Sequence, residues 1–336
     1  MTQAVRQAFR DQAQSCRDLG SPLTAQVCEA LGEGLQPEQG AVAAGVLAWP
    51  GDPSSRADSV PLRLCGALHA LVLTDAAPDL ARAYADGQAP TDLLVDILRR
   101  HQDSILPWLD SPPQTNEVAR SAALIGAARF LSDLSPLPLR LLELGASAGL
   151  NLYFDHYHLG PQDQGVSLTP DWRGAMPQGS IRVASRRGVD LNPLDPARDA
   201  LRLMAYCWAD QSDRLARLRA ALALAQADPP PVDQGDAGAW LAQQLQDPVQ
   251  GQVTMVFHTI AAQYFPRDTV AACDSVFARA AARATPDAPL AHVEMEGDGG
   301  EGAVLRLSFW DGRTRQWLLG RADFHGRWID WHPRPL

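Results

Sequence analysis

Residues 141–151 read LLELGASAGLN. An apolar run, Leu139–Leu144, enters a turn of small residues, Gly145 to Gly149, and a helix-compatible apolar segment resumes at Leu150. Strand, tight glycine turn and helix is how an α/β sheet offers backbone N–H groups to a nucleotide-like ligand at the carboxyl edge of its strands. The spacing narrows the ligand. A dinucleotide fingerprint wants Gly at the first, third and sixth positions of the turn. Here the sixth is Leu150, and small residues fall at Gly145, Ser147 and Gly149, a G-x-S-x-G pattern behind Glu143.

Outward from this turn, strands alternate with helices on the C-terminal side. A helix is expected from about Ala148, then an inserted hairpin or loop over about 155–180, a strand ending at Asp190, and a helix from roughly Pro196 to Ala225. A short strand precedes Gly235-Asp236-Ala237, a buried strand ends near Phe257, a helix covers Asp268–Ala284, and Pro289–Met295 is another strand. Ala303–Trp310 and Gln316–Gly320, joined at Asp311-Gly312, alternate as an antiparallel hairpin would, with a last short run near Trp328. On the N-terminal side, residues 1–134 carry apolar positions three and four apart, with Gly-, Pro-, Ser- or Asp-rich breaks, and read as an α-helical cap domain. The expected fold is therefore α/β: a helical domain over 1–134, then a Rossmann-like, mostly parallel sheet over 135–336 that ends in an antiparallel hairpin, the order found in methyltransferase-type sheets.

Composition removes several classes. At 336 residues and 46% hydrophobic content the chain can bury the cores of two units. No window approaches the ~18 unbroken apolar residues of a membrane span, and the N-terminus MTQAVRQAFRDQAQS has no apolar run after a basic region. Cys16, Cys28, Cys65, Cys207 and Cys273 never form C-x-x-C, which suits a reducing, cytoplasmic setting. A net charge of −10 argues against nonspecific nucleic-acid binding. All 29 basic residues are Arg; with no Lys, Schiff-base, pyridoxal-phosphate and Walker-A chemistry are excluded.

Several residues are candidates for chemistry. Asp190, ending its strand in GVDLNP, can accept two hydrogen bonds from a ribose, or form an Asx-turn ahead of Pro193. Asp236 marks a further strand end, or caps the following helix. His258 stands at the end of the VTMVF strand, where a neutral imidazole can act as general base; a satisfied structural hydrogen bond is the alternative. Gln263 and Tyr264 follow one turn later as substrate contacts. Asn116, Glu117 and Arg120 open the helix that precedes the first strand and are read as substrate contacts, Glu117 and Arg120 also as aids to catalysis, although a cap and an i,i+3 pair would explain them structurally. Asp155-His156-Tyr157-His158 lacks a recognisable third ligand, so no metal is expected. Ser147 would suit a hydrolase nucleophile elbow if Asp236 and His258 or His292 completed a triad.

The segments LELGASAGLNLYFDHYH, TNEVARSA, RRGVDLNPLD and VFHTIAAQYFP together resemble a bacterial family, domain of unknown function 2332, over nearly the whole chain. The turn also resembles motif I of S-adenosylmethionine-dependent methyltransferases, with Ser147 in place of the middle Gly. The resemblance implies a methyltransferase-like core without an established reaction. The leading expectation is a methyltransferase of a small-molecule acceptor. In it Glu143, Gly145, Ser147, Gly149, Asp190 and Asp236 hold S-adenosylmethionine, His258, Glu117 and Arg120 act on the acceptor, and the helical half forms a lid. A noncatalytic ligand-binding protein on the same fold is the second reading, and a serine hydrolase the third.

Overall fold

The computed structural model describes residues 2–336. Two compact units emerge: Met1–Thr115 with Arg198–Ala216, and Asn116–Ala197 with Arg217–Leu336. In chain order the helices are α1 (Thr2–Asp18), α2 (Pro22–Gly34), α3 (Ala41–Leu47), α4 (Val60–Leu73), α5 (Pro78–Ala85), α6 (Thr91–Arg100), α7 (Gln102–Leu109) and α8 (Ser121–Leu134). Next come β1 (Leu139–Leu144), β2 (His158–Leu159), β3 (Ser167–Leu168), β4 (Asp171–Arg173) and β5 (Val183–Asp190). After them follow α9 (Ala200–Ala205), α10 (Ser212–Ala227), β6 (Val232–Gln234), α11 (Ala237–Gln244), β7 (Val253–Thr259) and α12 (Arg267–Ala281). The chain closes with β8 (Leu290–Gly297), β9 (Ala303–Trp310), β10 (Thr314–Ala322) and β11 (Trp328–Pro335).

The first unit is helical. Its core gathers Phe9, Leu31, Leu35, Val46, Leu64, Leu68 and Ile97, all buried, and takes Trp208 from the later segment. Among the described residues no single helix is long and apolar enough to cross a membrane. The expected helix over 196–225 is broken between α9 and α10. Asp210, in the break, accepts hydrogen bonds from the Ser21 hydroxyl and from Leu23 N–H (2.8 Å), and so caps the start of α2 rather than continuing a helix.

The second unit is a mixed α/β body. Among the described residues its main sheet has nine strands in the order β4-β11-β10-β9-β8-β7-β1-β5-β6. The stretch β6-β5-β1-β7-β8 is parallel, and β8 to β11 continue as an antiparallel meander. β5 pairs on one side of β1 and β7 on the other, so the winding reverses between β1 and β7. Such a switch point opens a crevice outside the carboxyl ends of the strands. β7 is buried at every position, as a parallel strand covered on both faces must be. On one face Leu142, Leu144, Val189, Val256 and Leu290 pack with Trp240 and Leu241 of α11 and Phe277 of α12. On the other, Phe257 meets Phe154 edge-on with ring centroids 6.0 Å apart, and α8 packs against β8.

The segment expected as an inserted hairpin or loop is mostly loop; in place of an antiparallel hairpin it carries the small parallel pair β2–β3 and β4, which lies parallel to β11 at the sheet edge. The helix expected from Ala148 is a short 3-10 turn, Leu150–His156, with Tyr153 outside helical geometry. The cause is local competition for its carbonyls. Leu150 C=O accepts from the Tyr157 hydroxyl and Leu152 C=O from Arg186 (2.5 Å each), so the bonds that would propagate an α-helix are taken.

Because Phe257 is fully buried between β1, β8 and the Phe154 ring, Phe257→Ala should destabilise the sheet unit by about 3–5 kcal/mol. Urea unfolding followed by tryptophan fluorescence, compared with wild type, reads this as a lowered midpoint.

Candidate functional site

The carboxyl edge is built around the turn after β1. Gly145 N–H and Ala146 N–H both donate to Val189 C=O of β5 (2.9 and 3.0 Å). Ser147 N–H donates to Asp190 Oδ2 (2.8 Å), while Asp190 Oδ1 accepts from Asn192 N–H (2.9 Å). Gly149 N–H closes onto Ala146 C=O (2.7 Å) and Leu150 N–H onto Asn116 Oδ1 (2.9 Å). Gly145 and Gly149 both have φ near +71°, and a Cβ on Gly149 would lie 2.8 Å from Pro230 and Val232 side-chain atoms. Ser147 holds a left-handed φ of 53° without that freedom.

Most of the turn's donors are thus satisfied by the protein itself. Two acceptors are not. Ser147 Oγ and Glu143 Oε2 are buried with no hydrogen-bond partner.

Behind the turn lies a buried polar cluster. Ser121 Oγ donates to Asn151 Oδ1 (2.8 Å). Glu117 caps the 3-10 turn Val118–Arg120 by accepting from Ala119 N–H (3.1 Å), with the Arg217 guanidinium 3.9 Å away. The Arg120 side chain donates to Phe324 C=O (2.9 Å) and Thr259 C=O (3.0 Å), tying the β7 loop to the cluster. At its centre, burial pushes the Glu143 carboxyl well above the ordinary carboxylate range. The Asp190 charge adds to this, and Arg120 and the Asn151 amide offset only part of it. Asn116, Glu117, Arg120, Glu143, Ser147 and Asp190 are therefore brought to one edge. Ser121 and Asn151 belong with them but carry no sequence signal, being a helix residue and a turn residue in ordinary surroundings.

His258 does not share that cluster. It sits one residue beyond Phe257, which pairs with Glu143, so strand alternation turns it to the opposite face. There Nδ1 lies 2.6 Å from Glu296 Oε1 and Nε2 lies 3.0 Å from His292 Nε2. Glu296 Oε1 also accepts from Ala261 and Ala262 N–H (3.0 and 3.1 Å). Burial alone would raise the Glu296 carboxyl, but the His258 bond and charge and the two backbone donors bring it below its usual value. Burial and the neighbouring His258 hold His292 well below the usual imidazole range. One ligand-type atom from each of His258, His292 and Glu294 falls within 4.8 Å of the others, the set best able to hold a metal among the described residues. Its sequence signal was the alternation His292, Glu294, Glu296 along one strand face.

The remaining candidates lie apart. Asp236 caps α11, accepting from Ala239 N–H (3.0 Å) and the Thr269 hydroxyl (2.6 Å), which hold its carboxyl low. Gln263 and Tyr264 are exposed on the loop after β7, Tyr264 at 68%. Asp155 pairs with Arg186 (2.7 Å), and His156 packs edge-on against Tyr153.

These features define an α/β protein whose strand-order switch point carries a buried acid and a buried serine with unpaired oxygens. The chain belongs to a bacterial family described as an uncharacterized protein conserved in bacteria, DUF2332, whose model matches residues 6–331. No curated protein and no solved structure matches it.

Glu143 has a raised folded-state pKa, so its contribution to stability is fully present below the unfolded pKa, about 4.3, and is lost as pH rises toward the folded value. Glu143→Gln removes this dependence. The stability of wild type relative to the variant should therefore fall between the two pKa values, with a slope approaching about 1.4 kcal/mol per pH unit. Denaturation curves from pH 4 to 9 giving parallel profiles would show that Glu143 is not held protonated.

Proposed function

We propose that the chain is a methyltransferase that uses S-adenosylmethionine on a small-molecule acceptor, on a Rossmann-like core. The observation that supports this most is the convergence, at one switch point, of the glycine turn, the acidic strand end Asp190 and the two buried oxygens without partners, Glu143 Oε2 and Ser147 Oγ. Unsatisfied buried acceptors cost about 1–3 kcal/mol each. A ligand rich in donors, such as an ammonium and ribose hydroxyls, fits that deficit.

When bound, the cofactor supplies an electrophilic methyl on its sulfonium; the chain's work is then binding and alignment. In this reading Gly145, Ser147 and Gly149 line the cofactor's path, and Asp190 exchanges its bond to Asn192 for ribose hydroxyls. Glu143 faces the cationic part. Asn116, Glu117 and Arg120 orient the acceptor, with Gln263 and Tyr264 at the rim. Asp236 stays as the cap of α11. His258, with both ring nitrogens engaged, is left to the second cluster.

One observation favours the noncatalytic ligand-binding reading instead: both Asp190 oxygens are already spent on Ser147 and Asn192. The hydrolase reading has no such support, since Ser147 Oγ has no histidine partner.

Calorimetric titration with S-adenosylmethionine and S-adenosylhomocysteine separates these readings. Both ligands should bind wild type, and Asp190→Ala should bind each about tenfold or more weakly. A cation beside protonated Glu143 draws off its proton, so S-adenosylmethionine binding should release a proton, read as a dependence of the heat on buffer ionisation, and its affinity should rise with pH. Glu143→Gln should abolish both effects. If neither ligand binds wild type the proposal fails, and binding without methyl transfer to any of a metabolite library favours the second reading.

A further inference from the structure

We propose that His258, His292 and Glu294 form a site for a divalent transition-metal ion, on the sheet face opposite Glu143 and independent of the cofactor reading above. The site is built by strand register. β7 and β8 are parallel neighbours with His258 paired to Glu294. Residues two apart on a strand share a face, so His292, Glu294 and Glu296 line up beside His258. Below them the same face carries Val256 and Leu290, packed with the helices α11 and α12. Four ligand-type side chains share the upper part of an otherwise apolar sheet face, and there Glu296 Oε2 is buried without a hydrogen-bond partner.

The distances admit a metal in place of the hydrogen bond between the two rings. The two Nε2 atoms are 3.0 Å apart, converging on one locus. Bonds of about 2.0–2.1 Å at a tetrahedral angle place two nitrogens about 3.3 Å apart, so a few tenths of an ångström of opening admits the ion. Glu294 supplies the third ligand, completing a two-histidine, one-carboxylate set that leaves coordination positions open. The surroundings match too. Glu296 Oε1, 2.6 Å from His258 Nδ1 and fixed by Ala261 and Ala262 N–H, orients that ring and leaves Nε2 as the ligand nitrogen. Phe277 stacks on His292 with centroids 4.0 Å apart and holds its plane. Two carboxylates beside two imidazoles form a donor set suited to a divalent cation. Glu294 is partly exposed, which gives the ion a way in; Arg306, opposite it on β9, is turned to solvent.

The full chain, stripped with chelator and dialysed, should bind one equivalent of Zn2+ in calorimetry and give visible d–d absorption with one equivalent of Co2+. His292→Ala and Glu294→Gln should each weaken Zn2+ binding at least tenfold and remove the Co2+ bands, and Glu296→Gln should weaken it by about 10–100-fold. Should His292→Ala fail to fold by circular dichroism, the partly exposed Glu294→Gln decides. No stoichiometric binding to wild type, or binding undiminished in Glu294→Gln, overturns the site. Titration with S-adenosylmethionine reads neither outcome, so the two proposals stand or fall separately.

Discussion

The second unit depends on how the end of β5 closes the turn after β1. One carbonyl, Val189, accepts from two successive N–H groups, and one carboxylate, Asp190, takes the third. Hydrogen bonds to a charged acceptor contribute about 1.5–3 kcal/mol, roughly twice a neutral one. The turn is pulled against the neighbouring strand rather than left open above it. That closure sets the backbone angles: Gly145, Ser147 and Gly149 are all left-handed. It also fixes Gly188, where a Cβ would come within 2.7 Å of Ala146 Cβ. Glu143 lies at the strand end beneath this turn and is 2% exposed.

A second constraint is the two-residue period of the strands. Glu143 and Phe257 share a register position, so His258, one step further along, projects through the sheet to the other side. Histidine and buried acid are one register step apart on neighbouring strands but separated by the backbone layer. The carboxyl edge therefore carries two chemically different clusters: one of carboxyl, amide and hydroxyl groups beneath α8, the other of imidazoles and carboxylates facing α12. Arg120 bridges them through backbone, donating to Thr259 C=O from the Glu143 side while its own helix start is capped by Glu117.

Much of this was legible in the sequence because it rests on local pattern. The buried runs LRLLEL and VTMVFHT, the strand end at Asp190 and the Asp311-Gly312 turn announce themselves by apolar content and turn residues, and each falls where the pattern puts it. What was not legible depends on partners distant in the chain. The helix after Gly149 fails because Tyr157 and Arg186 capture its carbonyls. The long helix before β6 breaks because Asp210 serves a helix 187 residues earlier. Asp236 and Asp190 look alike at strand ends, yet one caps its own helix and the other holds a neighbouring turn. The His258 partners were hidden for the same reason: period-two polarity in HVEMEG marks a face, but only the β7–β8 register says which histidine it meets.

The local cost at Ser147 bears on whether the turn is merely structural. A non-glycine residue in the left-handed region is strained by about 1 kcal/mol or more, and its hydroxyl is buried without a partner. Glycine would relieve both penalties and keep the N–H bond to Asp190, which is a backbone bond. A turn serving only to join β1 to the next segment therefore gains nothing from serine. The hydroxyl acquires a purpose when something outside the chain donates to it or accepts from it, and the same holds for Glu143 Oε2 a few residues before. Two uncompensated buried oxygens at one switch point are the feature on which the ligand-binding reading rests.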